Sequence, residues 1–167
     1  MSRLGVIMII NLVSNILLFY VILFVVNIPA PFLGLNFDES AADTVSFAPP
    51  GFVIPIVWWI LFTLLGAARF LVLRRGNAPD TDSALLLGLA VLCAAYAYYT
   101  LGLEKLTGIS SLWFGLFGNI AVIAAATYVV WRLRRAVPAA SLLVAPVVLW
   151  TLFATFIVIG ELKHLFA

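Results

Sequence analysis

Residues 47–58 read Phe-Ala-Pro-Pro-Gly-Phe-Val-Ile-Pro-Ile-Val-Trp, and they begin an apolar run that continues past residue 70. Pro49 and Pro50 prevent a helix from beginning earlier, because proline has no amide donor and a fixed backbone angle. Pro55 falls near the first turn of the run, where a missing donor is tolerated. The pattern therefore predicts a helix that begins close to residue 52.

The composition of the chain indicates an integral membrane protein. Hydrophobic residues make up 65% and charged residues 10%, whereas soluble domains carry about 25% charged residues. Crossing a hydrocarbon core of ~30 Å takes roughly 20 helical residues. Five continuously apolar segments are long enough, and they are 4–28, 52–73, 83–101, 111–131 and 139–160. We therefore predict a single all-α domain of five transmembrane helices, with a long loop at 29–51.

The basic residues predict an orientation for this bundle. Alternating helices would place seven arginines on one side, and they are Arg3, Arg69, Arg74, Arg75, Arg132, Arg134 and Arg135. Arg69 would reach that side by snorkelling, and Lys105 and Lys163 would lie opposite. Because cytoplasmic loops are rich in Lys and Arg, we expect a cytoplasmic N-terminus. We also expect a multi-pass protein of a bacterial inner membrane. The first segment exceeds a signal-peptide core and is expected to be retained.

Polar and small residues inside the predicted helices indicate packed faces. Asn11, Ser14 and Asn15 form a stripe that should face protein, either for helix packing or for ligand contact. A second helix has a small-residue flank for packing within the chain or between chains, and its members are Gly115, Gly118, Asn119, Ala125 and Ala126. Pro146 should kink the fifth helix, which either opens room for a ligand or is merely tolerated.

The chain is poor in groups that carry out catalysis or ion coupling. No Asp, Glu, Lys or His lies in the middle third of a predicted helix, although ion-coupled transport normally needs one there. One His and one Cys form no metal or triad pattern, so we expect no catalytic residue, no metal site and no enzyme activity. His164 is read as an interfacial residue, with a haem ligand as the alternative. The net charge of +2 reflects the arginine asymmetry, so nucleic acid is not an expected partner.

Aromatic residues are where a binding function could lie. Trp131 and Trp113 fit the aromatic belts at the membrane interfaces. Trp58 and Trp150 lie several residues inside their predicted helices, where an indole can form the wall of a pocket for a flat apolar ligand. For Trp150 the sequence leaves core packing and a pocket wall equally open.

Two motifs resemble the TspO family, also called the translocator protein or tryptophan-rich sensory protein family. Residues 47–58 are similar to the family pattern Trp-x-Pro-Pro-x-Trp-x-Phe-Pro-x-x-Trp. Residues 146–155 are similar to its Pro-Tyr-x-x-Trp followed by Phe-Ala-Thr. The chain departs from the family at five positions: Phe47, Phe52 and Tyr99 replace Trp, Val147 replaces Tyr, and Val158 replaces Asn. These exchanges predict a more apolar pocket than in better-matched relatives.

The resemblance implies a membrane receptor or sensor that binds a porphyrin, another tetrapyrrole, a sterol or a similar flat molecule. The expected walls are Phe47, Pro50, Phe52, Trp58, Tyr99, Trp150 and Phe153, with residues 38–45 as a lid. No covalent cofactor is expected, only a bound tetrapyrrole or lipid. The expected partners are the bilayer and the ligand, and a homodimer or a larger membrane complex stays open. The alternative is a structural or accessory subunit of a larger membrane complex, without a persistent cavity.

Overall fold

The computed structural model describes residues 3–36, 45–75 and 80–165, with side chains described over 11–36, 45–75 and 81–164. Regular structure in these ranges is helical: α1 Arg3–Asn27, α2 Pro29–Phe32, α3 Val53–Arg74, α4 Asp80–Ala94, a π-helical segment Tyr98–Gly102, α5 Leu103–Thr107, α6 Ser111–Ala136 and α7 Pro138–Leu165. The predicted lid, 38–45, lies outside the described residues apart from Val45.

Four stretches are long and apolar enough to cross a membrane, and they are Asn11–Phe32, Val53–Arg74, Ser111–Ala136 and Pro138–His164. The bent pair Thr81–Ala94 and Tyr98–Thr107 brings the number to five if it counts as one span. The chain is therefore an all-α, multi-pass membrane bundle, as the apolar segments predict.

The third predicted helix differs from the prediction, because it is broken instead of continuous over 83–101. Its two parts meet at an angle of 57°. The amides of Tyr98 and Tyr99 both bond to the Ala95 carbonyl, and the Thr100 hydroxyl donates to the Tyr96 carbonyl at 2.6 Å. A side chain that takes a backbone carbonyl competes with the helical ladder, and a π-helical turn is a frequent result near functional sites.

The long helices pack as a closed ring. α1 packs against α3, α3 against α7, α7 against α6, α6 against the π-helical segment and α4, and α4 against α1. Phe19 and Phe62 are fully buried at the centre, with Leu65, Leu86 and Val144 beside them. Lipid chains are as apolar as these residues, so close packing holds the ring together more than release of apolar surface from water does.

The closest backbone approach lies between α1 and α3. A Cβ placed on Gly66 would lie 2.7 Å from the Ile16 Cα and 3.1 Å from the Asn15 carbonyl oxygen. No side chain fits there without moving one of the helices. Gly66 therefore allows the backbone contact that small residues provide in membrane bundles.

Polar contacts join four helices at the arginine-rich end. The Arg69 guanidinium donates to the Asn15 side-chain oxygen at 2.5 Å and to the Ser83 hydroxyl at 2.8 Å. Asp82 is buried and pairs with Arg132 across α4 and α6. Arg69, which was predicted to snorkel towards this end, has its partners on the neighbouring helices α1 and α4, and Ser83 lies in the first turn of α4.

The polar stripe predicted on the first helix is only partly buried. Asn15 is buried in the contact with Arg69, whereas Asn11 and Ser14 are exposed. The last two helices are longer than the sequence predicts. α6 continues to Ala136, and α7 begins at Pro138, where proline is favoured in a first turn. α7 continues across Pro146 without a break in the helix.

Candidate functional site

The seven residues predicted as pocket walls fall into two groups. Phe47 and Phe52 are 53% and 69% exposed, and Pro50 is also exposed. The other four are half-buried inside the ring, and they are Trp58, Tyr99, Trp150 and Phe153. The two groups therefore differ in how far the protein covers them.

The end of the long loop packs against α7. Val45 is buried, and its side chain would lie 3.1 Å from a Cβ placed on Gly160. The Phe47 ring would lie 3.8 Å from the same Cβ. Phe47 thus lies over the end of α7, although half of its surface is exposed.

Trp58 and Trp150 both pack against the central core, from the neighbouring helices α3 and α7. The Trp150 and Phe153 ring centroids lie 5.6 Å apart at 43°, and Trp58 meets Phe62 edge to face at 6.3 Å. Spacings of this size are typical of favourable aromatic pairs. Trp150 and Phe153, three residues apart on α7, therefore form an aromatic pair that keeps a minor part of its surface exposed.

Tyr99 lies against the small-residue flank of α6. A Cβ on Gly118 would overlap the Tyr99 ring, and a Cβ on Gly115 would lie 2.9 Å from the Tyr96 hydroxyl. The two tyrosine rings meet edge to face at 5.4 Å. This flank was predicted to pack within the chain or between chains, and the structure fills it with tyrosines of the same chain.

Tyr98, the residue before Tyr99, fixes the broken helix to α1. The Tyr98 hydroxyl donates to the Val26 carbonyl at 2.7 Å, and the Asn27 amide donates to the Ala94 carbonyl at 3.2 Å. The π-helical segment is therefore held between α1 and α6, with Tyr98 directed to one and Tyr99 to the other.

Three buried polar atoms of the described residues have no hydrogen-bond partner, and they are the Tyr99 hydroxyl, the Asn119 side-chain nitrogen and the Thr151 hydroxyl. They come from the π-helical segment, α6 and α7. A buried donor or acceptor left without a partner costs about 1–3 kcal/mol. An excess of such groups in one region is a reason to look for a ligand or an ordered water.

The helix register places the three groups at a similar depth. The Ser141 hydroxyl donates to the Val130 carbonyl at 2.9 Å and fixes the antiparallel pairing of α6 with α7. Counting back along α6 from Val130 and forward along α7 from Ser141 brings Asn119 level with Thr151 to within about one residue. Tyr99 contacts Gly118, the residue before Asn119, and Trp150 precedes Thr151. We call Tyr99, Asn119 and Thr151 the unpaired polar triad.

Sequence reasoning identified Tyr99 as a site residue but missed Asn119 and Thr151. Asn119 was read only as part of a packing flank, and Thr151 was not singled out. An amide or hydroxyl within a membrane helix is a usable signal, because such groups seek partners inside the bundle. Whether the partner is present depends on tertiary packing, which one sequence does not show.

The two best-defined cavities of the described residues do not coincide with the predicted walls. A groove of about 310 Å³ lies between α4 and α6, and none of the seven predicted residues lines it. No three His, Cys, Asp or Glu side chains of the described residues cluster as a metal site requires. The candidate site is the unpaired polar triad, and the Trp150–Phe153 pair lies on the same helix as Thr151.

Comparison with protein families gives one match. The family model described as the TspO/MBR family matches residues 21–161, from within α1 to the last turns of α7. The match spans both sequence motifs, the π-helical segment and the triad. No curated protein matches the chain.

Proposed function

Since the chain belongs to the TspO/MBR family, we propose that it is a membrane receptor or sensor for a flat hydrophobic ligand. The ligand would bind between the π-helical segment, α6 and α7. It would stack on the Trp150–Phe153 pair, because offset contacts between aromatic rings add to the burial of apolar area. Trp58 would contribute a second wall from α3.

The observation that carries the proposal is the unpaired polar triad. Its members offer an amide donor and two hydroxyl groups, which match the acceptor atoms of a ligand. A tetrapyrrole with carboxylate side chains presents several acceptors, whereas a sterol presents one hydroxyl group. A porphyrin or related tetrapyrrole therefore fits the triad better than a sterol does.

We propose a binding role and not a catalytic one. The family is of the receptor or transport type. A hydroxyl group becomes a nucleophile only beside a general base. Neither the Tyr99 nor the Thr151 hydroxyl has a hydrogen-bond partner among the described residues. These hydroxyls can therefore orient a ligand without reacting with it.

The alternative is an accessory subunit of a larger membrane complex. Phe117 and Phe156 are 63% and 62% exposed on the outer faces of α6 and α7. Such side chains could pack against partner helices as well as against lipid. Purification with partners in fixed stoichiometry, and no saturable porphyrin binding by the isolated chain, would favour this alternative.

The decisive test uses Asn119→Leu, which removes the unpaired amide while keeping a similar volume. Because the amide nitrogen has no partner in the free protein, the variant should unfold at a higher temperature. It should also bind protoporphyrin IX roughly tenfold more weakly, by the loss of one ligand hydrogen bond. Tryptophan quenching would measure binding, and a thermal melt in detergent would measure stability.

Asn27→Leu is the matched control, because the Asn27 amide already donates to the Leu23 and Ala94 carbonyls. It should unfold at a lower temperature and should leave porphyrin affinity within about twofold, since it lies on α1 outside the triad. If Asn119→Leu lowered the melting temperature as much as Asn27→Leu and left binding unchanged, the triad would not be a ligand site.

A further inference from the structure

The groove between α4 and α6 continues towards a basic pocket at the arginine-rich end of the bundle. The groove contains Thr81, Ala84, Gly88 and Leu92 from α4 and Ala125 and Tyr128 from α6. The pocket has a volume of about 160 Å³, and it is lined by Trp131, Arg132, Arg134 and Arg135. Tyr128 lines the groove and Trp131 lines the pocket, and their rings stack at 6.2 Å and 27°. The two cavities therefore meet at this aromatic pair.

Among the described side chains, the pocket carries an excess of positive charge. Arg132 is paired with Asp82. Neither Arg134 nor Arg135 has an acidic partner among the described side chains. Arg134 lies over the Trp131 ring at 5.7 Å, which leaves the edge of its guanidinium free to donate.

The end of a helix normally presents carbonyl oxygens that would repel an anion. Here two of those at the end of α6 are occupied. The Ala136 carbonyl accepts from Arg75 at 2.5 Å, and the Leu133 carbonyl accepts from the Val137 amide at 2.7 Å. The arginine side chains are therefore the dominant groups that face the pocket.

The groove has the length of a lipid chain. Thr81 and Leu92 are eleven residues apart on α4, which is about 16 Å along a helix. Half of a hydrocarbon core is about 15 Å deep. Gly88 and Ala84 keep the groove open, and a Cβ on Gly88 would meet nothing within 4 Å.

We propose that the pocket and the groove together bind one anionic phospholipid of the leaflet on the arginine-rich side. Arg134 and Arg135 bind the headgroup phosphate, Trp131 lies at the interface beside it, and one acyl chain follows the groove past Tyr128 to Leu92. Planar guanidinium groups match phosphate oxygens with two parallel hydrogen bonds. A free phosphate would use only the pocket, whereas a lipid uses both cavities. This site is separate from the unpaired polar triad.

Native mass spectrometry of the detergent-solubilised protein tests the proposal with phosphatidylglycerol and phosphatidylcholine of identical chains. The protein should retain phosphatidylglycerol in preference to phosphatidylcholine. Arg135→Gln should weaken phosphatidylglycerol binding about fivefold, the scale of one arginine near an anionic lipid. Arg74→Gln removes the same charge near this end but lies over Phe70 at 5.6 Å, outside the pocket lining. It should change binding less than about twofold.

The acyl-chain half of the site has its own variant. Gly88→Leu fills the groove without a clash and should weaken binding about tenfold, because it displaces buried methylene groups of the chain. Ala121→Leu adds a similar volume at an exposed position of α6 outside the groove lining, and it should have little effect.

Three results would overturn the proposal. Equal retention of the two lipids would mean that the arginines select no headgroup. Competition by glycerol 3-phosphate at the same concentration as the lipid would assign the pocket to a soluble phosphate. A dimer that Gly88→Leu converts to a monomer, with lipid retention unchanged, would assign the groove to a second copy of the chain.

Discussion

The two ends of the bundle differ in how completely their buried polar side chains are paired. At the arginine-rich end, Arg69 satisfies Asn15 and Ser83, and Asp82 pairs with Arg132. Towards the long-loop end, the Tyr99, Asn119 and Thr151 side chains are buried without partners. Within a membrane such groups cannot turn to water, so an unpaired one costs free energy. The paired groups at the arginine-rich end stabilise the bundle, and the proposed function assigns the unpaired groups to a ligand.

The largest expected effect concerns the topology of the chain. A labelling experiment can show whether the two ends of the bundle face different compartments. In a Cys93→Ser background, Ser40→Cys and Ala78→Cys should react with an impermeant thiol reagent from opposite sides of the membrane. The arginine bias predicts that residue 78 is cytoplasmic and residue 40 is not. Labelling of both positions from one side would refute five spans and remove the basis for the comparison.

The next effect concerns helix packing near the arginine-rich end, where the buried polar groups are paired. Gly66→Leu should lower the free energy of unfolding by about 3 kcal/mol or more, since the added atoms collide with the backbone of α1 and force the helices apart. Gly88→Leu is the matched control on α4, where a Cβ meets nothing within 4 Å. Thermal melts of both variants in one detergent would measure the difference. Equal losses would mean that α1 and α3 are not in backbone contact.

The fold class was predictable from the sequence because long apolar runs are a local property. The prolines at 49, 50 and 55 placed the start of α3 within one residue. The break in the third helix was not predictable, since no proline marks it. It depends on contacts of Tyr98 with α1 and of Tyr99 with α6, which are distant in the chain.

The candidate site was partly predictable for a similar reason. Trp150 and Phe153 are three residues apart on one helix, so their pairing follows from sequence spacing. The role of Arg69 did not follow, because Asn15 and Ser83 lie on two other helices. An unpaired state such as that of Asn119 is likewise a tertiary property.

A smaller effect tests the aromatic wall that Trp150 and Phe153 form on α7. Trp150→Ala should weaken protoporphyrin IX binding by about 1–3 kcal/mol, because it deletes a stacking surface and its apolar area. Trp131→Ala should change that binding little, since Trp131 lies at the arginine-rich end and is 57% exposed. Fluorescence titration of both variants, with circular dichroism as the check of folding, would separate them. Equal losses of affinity in folded protein would place the porphyrin site elsewhere.

The smallest expected effect compares two adjacent tyrosines, one with a bonded hydroxyl and one without. Tyr98→Phe removes the donor to the Val26 carbonyl and should cost about 1 kcal/mol of stability, with porphyrin affinity unchanged. Tyr99→Phe removes a hydroxyl that has no partner, so it should leave stability equal or slightly higher. The same change should weaken porphyrin binding by about threefold to tenfold, if the hydroxyl donates to the ligand.

The two variants differ from the parent by one oxygen atom each and lie on the same π-helical segment, so general disturbance of that segment would affect both alike. Opposite responses in stability and in binding would show that the division between satisfied and available polar groups runs between neighbouring residues. If both variants lost stability to the same extent, the Tyr99 hydroxyl would have a partner in the membrane, such as an ordered water. The triad would then be a structural element and not a ligand site.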